Sequence, residues 1–248
     1  MILNRLTQAF REQNWFAVAV EFVIVIAGVV IGFQITQIAA ERSDQAEREA
    51  ALYRLHEEAE QAVAHFERMV ELYDRSNDAR FDALTRLSSG DFEGVETGWL
   101  TFGIQTTSLL PQVAPPRSAY DEVLATGLYA ELGDIRLRQA LSAYYRQIDF
   151  LEGQIDYHRD QVMRAWRSEY VTMVFDPDNE SRNRSFEVDF EAAAQDPAFI
   201  EELTAANNSI RAVTNWWRST LEEAQTVCDE LARLTGQPCD PPDWEPYS

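Results

Sequence analysis

Lysine is absent from this 248-residue chain, and cysteine and histidine are rare, with two and three residues. All 21 basic residues are therefore arginine, against 42 acidic residues, and the net charge is −21. An acidic excess of this size favours solubility and argues against DNA, RNA or an anionic lipid surface as the main partner. Acidic chains are often disordered, but 46% apolar residues is too rich a content for that class.

The sequence also lacks the motifs of common catalytic sites. It has no G-x-S-x-G, no phosphate-binding glycine loop and no Cys-x-x-Cys. His56 and His65 do not have metal-ligand spacing on one helical face, and His158 falls on an apolar helix seam, where a structural role is the favoured interpretation. We therefore predict no catalytic residue, no cofactor and no metal. We interpret Glu57, Glu58 and Glu60 as part of a solvated acidic face.

One long apolar run is present, from Trp15 to Ile35, and only Glu21 and Gln34 interrupt it. At ~1.5 Å per residue the run covers ~31 Å, which is about the hydrocarbon thickness of a bilayer. The sequence therefore predicts a single membrane span at 15–36. The length of the run and the acid within it argue against a cleaved signal peptide.

The orientation of the span rests on the two cysteines. Arginines give no clear bias, because the tail before the span and the segment just after it carry two each. Cys228 and Cys239 lie at a helix end and in the Pro-rich tail, where a chain fold-back could bring them within bonding distance. Two unrelated thiols are the alternative. We predict a cytoplasmic tail at 1–14 and a periplasmic domain at 37–248.

The span carries a candidate packing face. Gly28 and Gly32 form a G-x-x-x-G, and Glu21 lies two helical turns before Gly28 on the same face. A carboxylate at that depth costs ~2.5–3.5 kcal/mol unless it is protonated or partnered. Three roles stay open for Glu21: a hydrogen bond to a neighbouring helix, a neutral acid that reaches the interface, or part of a proton path. The residues predicted for membrane-helix packing are Glu21, Gly28, Gly32 and Gln34.

Two stretches of the chain resemble a large, uncharacterised bacterial family of single-span membrane proteins. The first is the signature of Glu, Gly seven residues later, a small residue four further on, Gln-Ile and Glu-Arg. It is matched here by Glu21, Gly28, Gly32, Gln34, Ile35, Glu41 and Arg42. The second stretch comprises Ser118-Ala119-Tyr120, Leu124, Gly127, Leu137-Arg138, Leu141 and Tyr144-Tyr145.

This resemblance implies a helical, membrane-anchored protein, and it supplies no catalytic residue. We predict that the protein lies in the bacterial inner membrane. The family often has Asn-Asn-Trp after Gln-Ile, where this chain has Thr36-Gln37-Ile38. The role of that tryptophan at the outer interface is therefore not carried over.

Beyond the span, apolar residues at alternating 3–4 spacing predict three long helices. The first continues the membrane helix without a break to about Tyr73, as anchor and rigid stalk together. The second follows an Asp134 cap and ends at 176–179, and the third follows Asp196-Pro197 and ends at Gly236. A shorter helix is predicted between a capping box at Ser118 and a stop at Gly127. The predicted fold is all-α, an elongated antiparallel bundle with a loop-rich insertion at 88–117 and a Pro-rich tail at 236–248.

These features favour a structural or interaction protein, which self-associates or serves as an accessory subunit of a larger membrane complex. The predicted partners are the lipid bilayer and, through the membrane helix, a second copy or another membrane protein, with no nucleic acid. Trp216, one step off the apolar seam, is a weak candidate for a partner surface. The alternatives are a periplasmic bundle that senses a ligand and an ion-coupled membrane subunit that uses Glu21.

Overall fold

The computed structural model describes residues 15–108, 110–166, 169–179 and 184–243, so the predicted tail at 1–14 and the last residues of the Pro-rich tail lie outside it. The described chain is all-α apart from one small two-stranded sheet. Its helices are α1 (Trp15–Ser89), α2 (Thr97–Gln105), α3 (Ser118–Thr126), α4 (Ile135–Trp166), α5 (Phe190–Ala194) and α6 (Pro197–Thr235). Its strands are β1 (Val171–Phe175) and β2 (Arg184–Val188), and 3-10 turns occur at Thr106–Ser108 and Leu128–Ala130.

The chain divides into two compact units, Met1–Ala50 and Ala51–Ser248. In the first unit every described side chain from 18 to 47 is exposed, including large apolar ones such as Phe22 (66%) and Phe33 (70%). By length and composition, this part of α1 is apolar enough to cross a membrane, and it lies near the N-terminus. It is the one such helix in the described part of the chain.

Helix α1 is longer than the sequence pattern predicted. It ends at Ser89 and not near Tyr73. No glycine or proline occurs between Phe33 and Gly90, so nothing in the backbone stops the helix. The predicted end was wrong because the apolar spacing lapses after Tyr73, at Ser76 and Arg80, although both of these side chains are fully buried.

The second unit has two apolar clusters. The larger unites the seams of α1, α4 and α6, and the smaller joins the end of α1 to α2, α5 and the start of α6. The larger contains Leu55, Phe66, Tyr73, Leu137, Tyr144, Leu151, Ile210, Trp217 and Leu231 among its fully or nearly fully buried residues. The smaller contains Ala83, Leu87, Leu100, Ile104, Phe190, Ala193, Phe199 and Leu203. The predicted loop-rich segment 88–117 thus contributes α2 to a core.

Four of the predicted helix ends are confirmed. Asp134 Oδ1 accepts from the backbone N–H groups of two residues at the start of α4, and Asp196 Oδ1 accepts from Ala198 N at 2.9 Å. Gly127 and Gly236 end α3 and α6 in the left-handed conformation, with φ of 78° and 73°. Glycine pays no steric penalty for that conformation, so both stops follow directly from the sequence.

The segment after α4 differs from the prediction. The helix ends at Trp166, and β1 and β2 follow as an antiparallel hairpin that pairs Val171 with Val188 and Phe175 with Arg184. The strands are rich in β-branched and aromatic residues, which favour a pleated strand, and Pro177 lies in the turn region between them. Predicting a helix up to 176–179 was therefore wrong.

Candidate functional site

The predicted membrane-packing residues all lie on the exposed part of α1. A Cβ placed on Gly28 or on Gly32 would meet no atom within 4 Å, so both positions are open. Glu21 and Gln34 make no hydrogen bond within the part of the chain that the structure describes. The hydroxyl of Thr36, the last residue of the predicted span, donates to the Gly32 carbonyl at 3.0 Å, so it is satisfied within its own helix.

The two cysteines are joined. Cys228, in α6, forms a disulfide with Cys239, with 5.7 Å between the two Cα atoms. The bond ties the chain after Gly236 back onto the helix, and Cys239 packs against the larger core. Next to Cys239, the backbone N–H of Asp240 donates to Glu60 of α1 at 2.9 Å.

Trp216 is half-buried against α4 and is not a freely exposed ring. Its indole lies 5.6 Å from the ring of Phe150 and 5.5 Å from that of His158, measured between centroids. Its neighbour Trp217 is fully buried among the aromatic rings of the larger core. The partner-surface role of Trp216 stays a prediction.

Glu58 has a structural role that the sequence did not reveal. It is 7% exposed, so the predicted solvated face does not include it. Its carboxylate accepts from the backbone N–H groups of Ala119 at 2.6 Å and Tyr120 at 3.2 Å, at the first turn of α3. The predicted capping box at Ser118 is therefore wrong: Ser118 is the first helical residue, and α1 supplies the cap from across the core.

Aromatic residues from the second family-like stretch surround this cap. The rings of Tyr120 and Tyr145 stack with 3.7 Å between centroids, and the Tyr145 hydroxyl donates to Glu58 at 3.5 Å. Burial, reinforced by the negative charge of Glu58, raises the pKa of Tyr145 well above its ordinary value. These phenols stay neutral, so the cluster is a packing and capping unit.

Arg80, in the second unit, is fully buried and makes no ion pair with any acidic residue that the structure describes. It lies between the two apolar clusters. Its guanidinium donates through Nε to Thr107 at 3.1 Å, and through Nη1 and Nη2 to three further neutral oxygens. These belong to Asn77 (2.8 Å), Asn207 (3.5 Å) and Ser76 (3.2 Å).

The acceptors of Arg80 are themselves held in place. The hydroxyl of Ser76 donates a hydrogen bond to the Tyr73 carbonyl at 3.1 Å, and that of Thr107 donates one to the Gly103 carbonyl at 3.2 Å. Burial lowers the pKa of Arg80 to about 10, which leaves it charged at neutral pH. A buried charge is tolerated only where its hydrogen bonds are made, and here uncharged groups make them.

Gly103 allows α2 to approach this point. A Cβ at Gly103 would lie 2.5 Å from the backbone carbonyl of Ala79 and 2.6 Å from the backbone nitrogen of Arg80. Only glycine permits such contact between two helix backbones. The close approach places Thr107, one helical turn later, where it accepts from Arg80.

An open groove of about 580 Å³ runs along α1 and α6 beside this polar layer. Asn77 and Asn207, which bond Arg80, also line the groove. The other lining residues are Asp74, Asp78, Phe81, Arg211, Thr214, Asn215 and Arg218. Among the described residues, this groove lies next to the buried charge of Arg80.

The sequence did contain a signal for this site. Continuing the 3–4 spacing of α1 past Tyr73 reaches Ser76, Arg80, Ala83 and Leu87, so a charged residue occupies a seam position with apolar residues on both sides. Within the described residues, no group of three or more His, Cys, Asp or Glu side chains could hold a metal ion.

Comparison with protein-family models, with curated proteins and with solved structures found no match for this chain.

Proposed function

We propose that this protein is a single-pass membrane protein that works by assembly, and that its N-terminal helix pairs with the same helix of a second copy. The observation that carries the proposal is the complete exposure of the described side chains from 18 to 47, which are mostly apolar up to residue 38. Apolar surface on this scale requires a non-aqueous cover. Lipid covers most of the helix circumference, and a second helix covers the glycine face.

The face with Gly28 and Gly32 suits a second copy for two reasons. The open positions at both glycines let another backbone come close, which gives the packing that holds helices together in lipid. In a symmetric parallel pair, the Glu21 side chains of the two copies lie at the same depth on the same face. One protonated carboxyl can then donate to the other, which removes the cost of an unpartnered acid in hydrocarbon.

The disulfide supports an oxidising compartment for the second unit. A bond between Cys228 and Cys239 persists in the bacterial periplasm, whereas a reducing cytosol keeps thiols free. We therefore place the tail at 1–14 in the cytoplasm, the span at 15–36 in the inner membrane and the rest of the chain in the periplasm. The resemblance to the bacterial single-span family agrees with this topology.

In this proposal the second unit is an elongated antiparallel bundle of the long helices with α3 at its side, which offers its surface to partner proteins. Side-chain contacts support the antiparallel order of α1 and α6. The hydroxyl of Tyr53 bonds the carbonyl of Thr235, and further along α1 Arg80 bonds Asn207. In the same sense, Asp134 at the start of α4 pairs with Arg233 at the end of α6.

The test is the mass of the full-length protein in a mild detergent, measured by light scattering. We expect a particle of two chains of 28.4 kDa each for the wild type and of one chain for Gly28→Ile, because the added side chain separates the two backbones. The matched control is Ala27→Ile, which adds bulk one position off the face and should leave the dimer intact.

Three results would contradict the proposal. A monomeric wild type would exclude pairing with a second copy, and a dimer that survives Gly28→Ile would exclude the glycine face as the contact. A stoichiometric second polypeptide in place of a second copy would instead make the chain an accessory subunit of another membrane protein. The topology is tested separately with C-terminal reporters: alkaline phosphatase should be active, and a cytoplasmic fluorescent reporter should stay dark.

A further inference from the structure

We propose that the groove between α1 and α6 beside Arg80 binds a small zwitterionic carboxylate of the amino-acid class. Its volume of about 580 Å³ accommodates such a molecule together with a side chain. The groove lies wholly within the second unit, so the proposal is independent of how the membrane helix assembles.

The first argument is the orientation of Asn207. Because a guanidinium has only donors, the amide oxygen of Asn207 must face Arg80, and its Oδ1 accepts from Nη1 at 3.5 Å. The Nδ2 donors are thereby turned away from Arg80. Asn207 is 6% exposed and lines the groove, and its Nδ2 makes no hydrogen bond to any described residue. The Nδ2 group is therefore a donor that the described chain does not use, and a ligand carboxylate in the groove can accept from it.

The neighbouring amide has no such spare donor. Asn77 also presents its oxygen to Arg80, but its Nδ2 donates to the hydroxyl of Thr214 at 2.9 Å. That hydroxyl donates in turn to the Ile210 carbonyl at 2.9 Å. The two amides that hold Arg80 thus differ, and Asn207 is the one left to bind a ligand.

The second argument is the distribution of charge along the groove. Arg218 is paired with Asp74 and also donates to Asn215 at 2.9 Å. Arg211 and Asp78 also line the groove, and within the described chain neither makes a hydrogen bond or an ion pair. Among the described residues, one unpaired cation and one unpaired anion therefore line the same groove, and both side chains are exposed.

This combination favours a zwitterion over a simple anion or a simple amine. A carboxylate is attracted by Arg211 and by the buried charge of Arg80, but a ligand without an ammonium group is repelled by Asp78. An amine without a carboxylate is attracted by Asp78 but repelled by Arg211 and Arg80. In an amino acid, the carboxylate lies against Asn207 and Arg211 and the ammonium group against Asp78, so each unpaired group gains a partner.

The test uses the full-length protein in detergent and follows tryptophan fluorescence during thermal unfolding. The standard amino acids are added one at a time at millimolar concentration, with succinate and ethylamine as ligands that carry one kind of charge. We expect at least one amino acid to raise the unfolding temperature in a saturable way, with succinate and ethylamine far weaker. Calorimetric titration then gives the Kd of the amino acid found.

Two variants decide the site. Asn207→Asp replaces the donor with a second acceptor and gives Arg80 a counter-charge, so we expect a folded protein that has lost amino-acid binding by about tenfold or more. Asn208→Asp, the same change on the next, exposed residue, is its matched control and should bind as the wild type does. Arg211→Gln, an exposed position, should weaken binding by a similar factor without affecting the fold, which keeps the test valid if Asn207→Asp unfolds.

The proposal fails if no amino acid gives a saturable shift, or if Asn207→Asp and Arg211→Gln both bind like the wild type. Succinate binding as tightly as the best amino acid would overturn the zwitterionic class. Asp78→Asn supplies the remaining check. It should weaken binding of the amino acid and leave binding of succinate unchanged or tighter. Unchanged amino-acid binding with weaker succinate binding would contradict the position given to the ammonium group.

Discussion

Helix α1 carries two charged residues in apolar surroundings, Glu21 and Arg80, and the fold treats them in opposite ways. Arg80 is fully buried, and four neutral oxygens of the second unit accept from it. Glu21 lies on a wholly exposed apolar stretch, and no described side chain contacts it with a hydrogen bond. A charge in a low-dielectric setting needs a hydrogen-bond partner. The chain supplies such partners for the arginine, whereas under the proposed function the partner of Glu21 comes from a second copy.

The difference follows from how apolar residues are distributed around the helix. Between Val18 and Ile38 they occupy all sides, so no face is reserved for the rest of the chain. From Ala51 onwards they form one buried stripe, which packs against α4 and α6. The same helix therefore exposes apolar side chains on all sides along one stretch and packs against protein along the other.

The largest effect is expected from removing the buried charge. Arg80→Met keeps a long side chain but leaves four oxygens without their donor, and we expect the free energy of unfolding to fall by about 3–5 kcal/mol. Urea unfolding of the full-length protein in detergent, followed by tryptophan fluorescence, measures this loss. Arg75→Met, at an exposed position five residues earlier, is the control and should change stability by less than about 1 kcal/mol. Equal effects of the two would mean that burial of Arg80 matters little.

A comparable loss of stability is expected when α2, which holds Thr107 next to Arg80, is displaced from α1. In Gly103→Ala the new methyl group overlaps the backbone of α1 at Ala79 and Arg80, and we expect a loss of about 2–3 kcal/mol. Gly98 lies in the same short helix, and a Cβ added there would meet no atom within 4 Å, so Gly98→Ala should be neutral or slightly stabilising. The same unfolding measurement checks both, and a harmless Gly103→Ala would contradict the close approach of α2.

Glu58 sharpens the comparison, because it is another acidic residue of α1 and the chain itself supplies its hydrogen-bond donors. Glu58→Gln keeps the size of the side chain but replaces one acceptor oxygen with a donor opposite backbone N–H groups. We expect a loss of about 1–3 kcal/mol in unfolding free energy. The exposed neighbour serves as control, since Glu57→Gln should change stability by only a few tenths of a kcal/mol. A similar small effect in both variants would count against the cap.

The smallest effect is expected at Glu21. Gln can still donate and accept across a helix pair, so Glu21→Gln should leave the dimer intact, whereas Glu21→Leu should weaken it by about 1–2 kcal/mol. Dilution of the detergent-solubilised protein, with dissociation followed by energy transfer between labelled copies, measures the difference. If both variants dissociated more readily than the wild type and to the same degree, a carboxyl group, which an amide does not replace, would be required at this position.

Much of the second unit could be predicted from single residues and their spacing. The seam residues of α4 and α6, such as Leu137, Tyr144, Ile210 and Trp217, are buried because 3–4 spacing places them on one face. Asp196 and Gly236 mark helix ends because their backbone preferences act locally. Such features depend on neighbours within one or two helical turns, so the sequence is sufficient to identify them.

The candidate site could not be found in the same way. Glu58 and α3 are about 60 residues apart in sequence, and the four acceptors of Arg80 come from α1, the turn after α2, and α6. A charged residue on a helix is usually solvent-exposed, so the spacing that placed Arg80 on the seam was outweighed by its charge. The hairpin β1–β2 was missed for a different reason, because the run of residues before Pro177 also fits the end of a helix.

The sequence by itself determined the apolar run at 15–35, the continuous first helix and the seams that pack together, because each depends on local spacing and composition. Tertiary structure alone decided that Glu58 caps a distant helix, that Gly103 brings α2 against α1, and that Arg80 turns the amide of Asn207 towards an open groove. These depend on which polar groups meet once the apolar faces have closed. Burial then makes every unpaired donor and acceptor costly, and this cost fixes their partners.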